Sequence, residues 1–276
     1  MRAIISHDID HITAWEHFTR DLIIPKFIVR SKIELLTGKI SFSEFYNRLA
    51  DFFRNKWQNL DELVSFNQSV GVPSSFFIGV RNGLGLSYPP EASAYWTVKL
   101  IDKGCEVGVH GIAFENPVMI KKEYEDFREI SGLGTFGTRT HYVRQNAQTF
   151  RFMAEAGYFY DSSKHAFKNP YRIGDMWEFP FQVMDGWVIR NDRRWQTRNL
   201  SQAIDTTKRL IDEAHEKPLS YLVIDFHDRY FSKSFKTWMA WYTWLAGYLN
   251  ECEIGFCDFR HAVEELNTTL LNDNRT

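Results

Sequence analysis

The chain has 276 residues, 44% of them hydrophobic and 25% charged, with a formal net charge of −2. That balance suits a globular fold with a sizeable buried core, and it gives no reason to expect nucleic acid or an anionic membrane as partner. Aromatic residues reach 16%, enough to fill a core and still line a groove. Cys105, Cys252 and Cys257 cannot all pair and form no CxxC. The Met1–Asp10 segment lacks the basic start and long apolar run of a signal peptide. No stretch reaches the roughly 18 apolar residues of a membrane span, so a cytoplasmic chain without a transmembrane segment is expected.

Short apolar runs alternate with stretches of helical spacing. Ala3–Ser6 reads as the first strand. Residues 14–57 exceed what one crossover needs and read as a helical insertion over one side of the fold. A helix over Asp61–Ser69 leads to a strand over Ser75–Val80, and a helix over Glu91–Asp102 stops at Lys103-Gly104. Cys105–His110 reads as a strand, Pro117–Glu129 as a helix, Thr135–Thr140 as a strand and Asn146–Glu155 as a helix. Glu178–Val183 and Tyr221–Phe226 are further strands. Between them lies a helix over Leu200–Glu213, with Ser201 near its N-cap. The basic run Arg190–Arg194 reads as a solvated loop. Phe235–Asn250 is the last predicted helix, Ile254–Cys257 a closing strand, and 267–276 a polar tail. Strands alternating with helices imply βαβ units and a parallel sheet, and six or seven such units suit an α/β barrel. With no repeat or Pro/Gly/Ser linker, residues 1–276 read as a single domain.

In such a barrel, chemistry collects at the C-terminal ends of the strands. Here those ends read Ser6-His7-Asp8-Ile9-Asp10-His11, Gly108-Val109-His110-Gly111, Gly137-Thr138-Arg139-Thr140-His141 and Asp225-Phe226-His227-Asp228-Arg229. Four strands thus deliver His, Asp or Arg to one rim. Asp8 and Asp10, two residues apart and flanked by His7 and His11, are carboxylates that repel unless they share a cation or hold divergent pKa values. Gly111 lets the backbone turn after His110. Neutral imidazole is a common zinc ligand and imidazolium a common general acid.

This order of motifs, with Tyr160-Asp161-Ser162-Ser163 after the Arg-x-His segment, resembles the polysaccharide deacetylase (NodB-homology, carbohydrate esterase) family from residue 1 to about residue 265. The resemblance implies a distorted parallel (β/α) barrel carrying a catalytic domain with the helical insertion. It implies a divalent metal, usually zinc, held by Asp10 and His110. Asp8 matches the general base that activates the attacking water, Arg139 the residue that orients it, and His227 the acid that protonates the leaving amine. The implied activity is removal of an N-acyl, or O-acyl, group from a carbohydrate or glycolipid precursor. His141 and Tyr142 are expected to touch substrate, and Tyr142, Trp177 and Trp187 are candidates for a sugar-stacking wall. The sequence departs from the family at Phe114, where a second metal histidine would stand. A catalytic zinc keeps three protein ligands, and Glu115, His141 and His11 are open alternatives for the third. A metal-free carbohydrate-binding pseudoenzyme and a hydrolase of a small non-sugar amide are the competing readings.

Overall fold

In the computed structural model, which describes residues 1–17 and 22–273, the alternation becomes a curled nine-stranded sheet flanked by helices. Strands β1 (Arg2–Ile9), β2 (Ser74–Ile78), β3 (Glu106–Gly111), β4 (Thr138–Thr140) and β5 (Tyr160–Asp161) lie side by side in parallel. β6 (Tyr171–Ile173) and β7 (Met176–Glu178) form an antiparallel pair, and β7 lies parallel to β5. β8 (Val183–Met184) pairs with β9 (Tyr221–Asp225), which returns beside β1. Only Phe179–Gln182 separate β7 from β8, so one short segment pairs with β5 at its start and β9 at its end. It draws the two sides of the sheet together as a distorted barrel.

The insertion after β1 contains α1 (Ile23–Leu36) and α2 (Phe42–Phe53), and α3 (Leu60–Ser69) leads into β2. α4 (Pro90–Asp102), α5 (Pro117–Ser131) and α6 (Thr149–Ala156) connect the next strands. α7 (Asp185–Arg190) and α8 (Leu200–Glu216) precede β9, while α9 (Lys236–Glu251) and α10 (Phe259–Asp273) follow it.

The strands read as continuous apolar runs because both faces are buried, as parallel sheets require. Alternate residues then serve two cores. Ile5, Phe76, Val109 and Ile224 pack under the helices, whereas Ile4, Phe77, Tyr160, Phe179, Phe181 and Val223 fill the barrel interior. The inward positions turn polar toward the strand ends. After Ile4 the inward positions on β1 are Ser6 and Asp8, and after Val223 the next on β9 is Asp225, all buried. That change from oil to carboxylate builds the site.

Several elements differ from the sequence expectation. β1 runs through Asp8 to Ile9. Glu178–Val183 splits between β7 and β8, and the two-residue β5 and the solvent-facing β6 carry too short a pattern to be read. Ile254–Cys257 contributes only an isolated bridge, Phe256 to Ala3. The expected polar tail is helical through Asp273 as part of α10, whose Phe259, Ala262 and Val263 plug the barrel interior; residues 274–276 lie outside the described residues. The N-cap of α8 is Asn199, in a capping box with Gln202, rather than Ser201. Arg190 closes α7 instead of opening a loop. Gly111 stays extended within β3. A Cβ there would come 3.2 Å from the Glu123 carboxylate, so close packing is what favours glycine.

Candidate active site

Arg139 on β4 is completely buried and committed on every side. Its Nε donates to the Ser162 carbonyl (2.8 Å) and its Nη2 to Ser162 Oγ (2.9 Å), which accounts for the serine following Tyr160-Asp161. Nη1 then donates to Asp8 Oδ1 (3.0 Å) and to Asp225 Oδ1 (2.9 Å). Burial works against the guanidinium charge, but the two carboxylates outweigh it and raise its pKa. Burial, then the charge of Asp8, pushes Asp225 up to about 7. Asp8 is thereby aimed with one oxygen on Arg139 and Oδ2 toward His110 Nε2, 3.8 Å away.

His110 and His141 are oriented by backbone. His110 Nδ1 lies 3.1 Å from the Arg139 carbonyl, and His141 Nε2 lies 3.2 Å from the Leu84 carbonyl. A carbonyl only accepts, so each ring places its proton on that nitrogen and presents the other as a lone pair. The two lone-pair nitrogens, His110 Nε2 and His141 Nδ1, then face each other at 3.0 Å. Asp10 Oδ1 joins them at 3.3 and 3.2 Å, and this buried oxygen has no hydrogen-bond donor among the described residues. Three electron-rich atoms converge on one point. Tetrahedral zinc with ligands at about 2.0–2.1 Å would separate donors by roughly 3.4 Å, so the set fits a small divalent cation.

His227 faces this cluster from across the barrel mouth. Its backbone N–H donates to Asp185 Oδ2 (2.8 Å) and its Nδ1 to Asp185 Oδ1 (3.0 Å), leaving Nε2 3.6 Å from Asp10 Oδ2. Burial pulls its pKa down, but the charges of Asp185 and Asp225 and the Asp185 hydrogen bond hold it well above the ordinary value. Its Nε2 is aimed into the pocket.

The structure therefore gathers Asp8, Asp10, His110, Arg139, His141 and His227 at one rim. His141 stands where donors meet, whereas Glu115 is exposed away from them. His11 turns to His17 instead, with Nδ1 and Nε2 2.7 Å apart. A second grouping, Asp8, Asp225 and His227, also falls within ligand reach; there Arg139 binds one oxygen of each carboxylate and Asp185 accepts from His227 Nδ1. His7 faces the opposite way, bonded to the Phe226 carbonyl and Asn67, and burial lowers its pKa to about 3; it is a core residue. Phe114 lies under the Arg144 guanidinium, 4.2 Å from ring centroid to charge. Tyr142 and Trp187 line the pocket. Trp177 is buried with the interior core and donates to Asn267, so it takes no part in the wall. Tyr142 (φ 59°) and Val143 (φ 48°) adopt left-handed backbone, a strained turn that follows His141 at the mouth. Asp185 and Asp225 were not singled out by sequence. The signal was there, an acid just past or at the end of a strand.

A cavity of about 400 Å³ opens over these residues. Trp187, Trp238 and Tyr230 form part of its wall, and Lys26, Arg30, Arg190, Arg194 and Arg229 also line it. None of these five cations has a carboxylate within ion-pair distance among the described residues.

No family model and no curated protein matches the chain. Solved structures do. A protein assigned as a polysaccharide deacetylase from Mycobacterium smegmatis superposes with a TM-score of 0.64 at 13% identity, over 97% of this chain and 90% of that one. The Puue allantoinase gives 0.64 at 11% identity, over 97% and 90%. A protein assigned as a polysaccharide deacetylase from Pseudomonas aeruginosa PAO1 gives 0.62 at 12% identity, over 95% and 89%. This chain has their fold. A CE4 family pseudoenzyme from Bacillus anthracis is also similar, with a TM-score of 0.50 at 7% identity over 95% of this chain and 65% of that one. At such identities the likeness fixes architecture, and the chemistry has to come from the residues.

Proposed function

We propose that this chain is a metal-dependent hydrolase of the polysaccharide deacetylase type, removing an N-acyl or O-acyl group from a carbohydrate or glycolipid precursor. The observation that carries the reading is the convergence of Asp10 Oδ1, His110 Nε2 and His141 Nδ1, with Asp8 and His227 facing them. Residues 1–276 act as one catalytic domain, placed in the cytoplasm on material not yet exported.

Asp10, His110 and His141 would hold the cation, zinc by the character of its donors. A bound cation polarises the acyl carbonyl and acidifies water. Asp8, aimed by Arg139, takes the proton as water attacks the acyl carbon. His227 delivers its Nε2 proton to the departing nitrogen, because an amide anion leaves poorly. The C–N bond breaks, giving a carboxylic acid and a free amine, and the Asp8 proton returns His227 to its acid form. Arg139 and Asp185 act as positioning residues. Tyr142 and Trp187 would hold the sugar face.

A metal-free pseudoenzyme draws support from Phe114, and the allantoinase among the similar structures keeps a small non-sugar amide in view as substrate. Release of acetate from N-acetylated sugars by the zinc-loaded chain, abolished by chelation and by Asp8→Asn, tests the hydrolase reading. Sugar binding without turnover at any metal loading would establish the pseudoenzyme instead.

A further inference from the structure

Helices α1 and α2 bury several polar side chains and expose several apolar ones. Ser31, Glu34, Glu44 and Arg48 are buried. There Arg48 donates to the Ser234 carbonyl (2.7 Å) and Ser31 Oγ (3.2 Å), and it pairs with both glutamates. Leu22, Val29 and Leu36 recur at heptad spacing along the outer side of α1, from its N-cap onward, and Phe42, Tyr46 and Phe53 are exposed on α2 at steps of four and seven. Leu36, Phe42 and Phe53 leave 86%, 73% and 78% of their surface in solvent. Trp15 is exposed beside them, its indole donating to the Phe52 carbonyl. A helix facing water shows the reverse pattern, and contiguous exposed apolar side chains mark a surface that something covers.

Charge selects the occupant. The one acid within α1, Glu34, is turned inward, while Lys26 and Lys32 are exposed without a carboxylate partner among the described residues. The net charge of −2, which argued against an anionic membrane, conceals this local excess. A second copy docked by a twofold axis would set these cations against themselves. Anionic lipid would receive the apolar stripes at its headgroup boundary and the lysines at its phosphates. The face is also continuous with the pocket, because Ile23, Lys26, Phe27 and Arg30 of α1 line it together with Arg190, Arg194 and Arg229.

We propose that the outer face of α1 and α2 docks on an anionic lipid bilayer, so that the pocket receives an acylated sugar carried on a lipid phosphate. The docking stands on surface geometry alone; the substrate class rests on the hydrolase reading above.

The test is co-sedimentation with vesicles of phosphatidylcholine alone or of equal parts phosphatidylcholine and phosphatidylglycerol, for the wild type and for Leu36→Ser/Phe42→Ser/Phe53→Ser. Folding is checked by circular dichroism, mass in solution by light scattering, and turnover on a soluble N-acetyl sugar. The wild type should sediment with the anionic vesicles, and the triple variant should bind them about tenfold less or worse with its fold and soluble turnover unchanged. Vesicle binding without any turnover would uphold docking and sink the hydrolase reading. Absent vesicle binding, binding unaffected by the three substitutions, or a wild-type dimer that the variant splits would each overturn the proposal, the last in favour of a second copy of this chain.

Discussion

Asp185 Oδ1 accepts a hydrogen bond from His227 Nδ1 at 3.0 Å, while Asp185 Oδ2 accepts the His227 backbone N–H at 2.8 Å. One buried carboxylate thus fixes the ring's rotation, its tautomer and its charge. It leaves Nε2 as the proton that can reach a leaving group.

Removing that carboxylate charge should change the pH profile in a defined direction. Burial already favours the neutral ring, and Asp185 is the first of the charges opposing it. In Asp185→Asn the His227 pKa falls, so the protonated acid is lost at lower pH and the alkaline limb of kcat moves toward neutrality. Turnover on that limb should drop by about 10²-fold, the usual share of one general acid, and by less on the acid side. An alkaline limb that stays in place would remove His227 from the acid role.

His227→Ala should separate leaving groups. An N-acyl sugar needs the proton, whereas an activated aryl ester departs unaided. The amide should lose at least about 10²-fold more turnover than the ester. Equal losses on both, with the protein folded, would make His227 a packing residue or a metal ligand.

Arg139→Met should cost the fold as well as the chemistry. It strips the fully buried Asp8 and Asp225 carboxylates of their shared cation and leaves Ser162 without its donors. Breaking a buried ion pair from one side typically destabilises by about 3–5 kcal/mol. Urea unfolding measures it, and a change below about 1 kcal/mol would mean that the triad contributes little.

The barrel and much of its rim were legible because parallel strands buried on both faces are written as apolar runs, and their polar ends stand out. Asp8, Asp10, His110, Arg139 and His227 were visible for that reason. Asp185 was not, because β8 is only two residues long and its partner β9 is distant in sequence. The convergence of His141 with Asp10 and His110 depends on a strained three-residue turn after β4, where spacing alone left three alternatives open. His7, which flanks Asp8 in the sequence, stays out of the site for a simpler reason. The twofold alternation of a strand puts it on the helix-facing side, away from Asp8, however close the two stand in sequence.

The most direct measurement is metal content after zinc reconstitution and exhaustive dialysis, read by mass spectrometry alongside N-acetyl sugar turnover. The wild type, Asp8→Asn and His11→Ala should each keep about one ion per chain, with Asp8→Asn alone of these three inactive. Asp10→Ala, His110→Ala and His141→Ala should lose ion and turnover together. Full metal in His141→Ala, or a wild type that takes up no ion and still turns over, would contradict the assignment of this site.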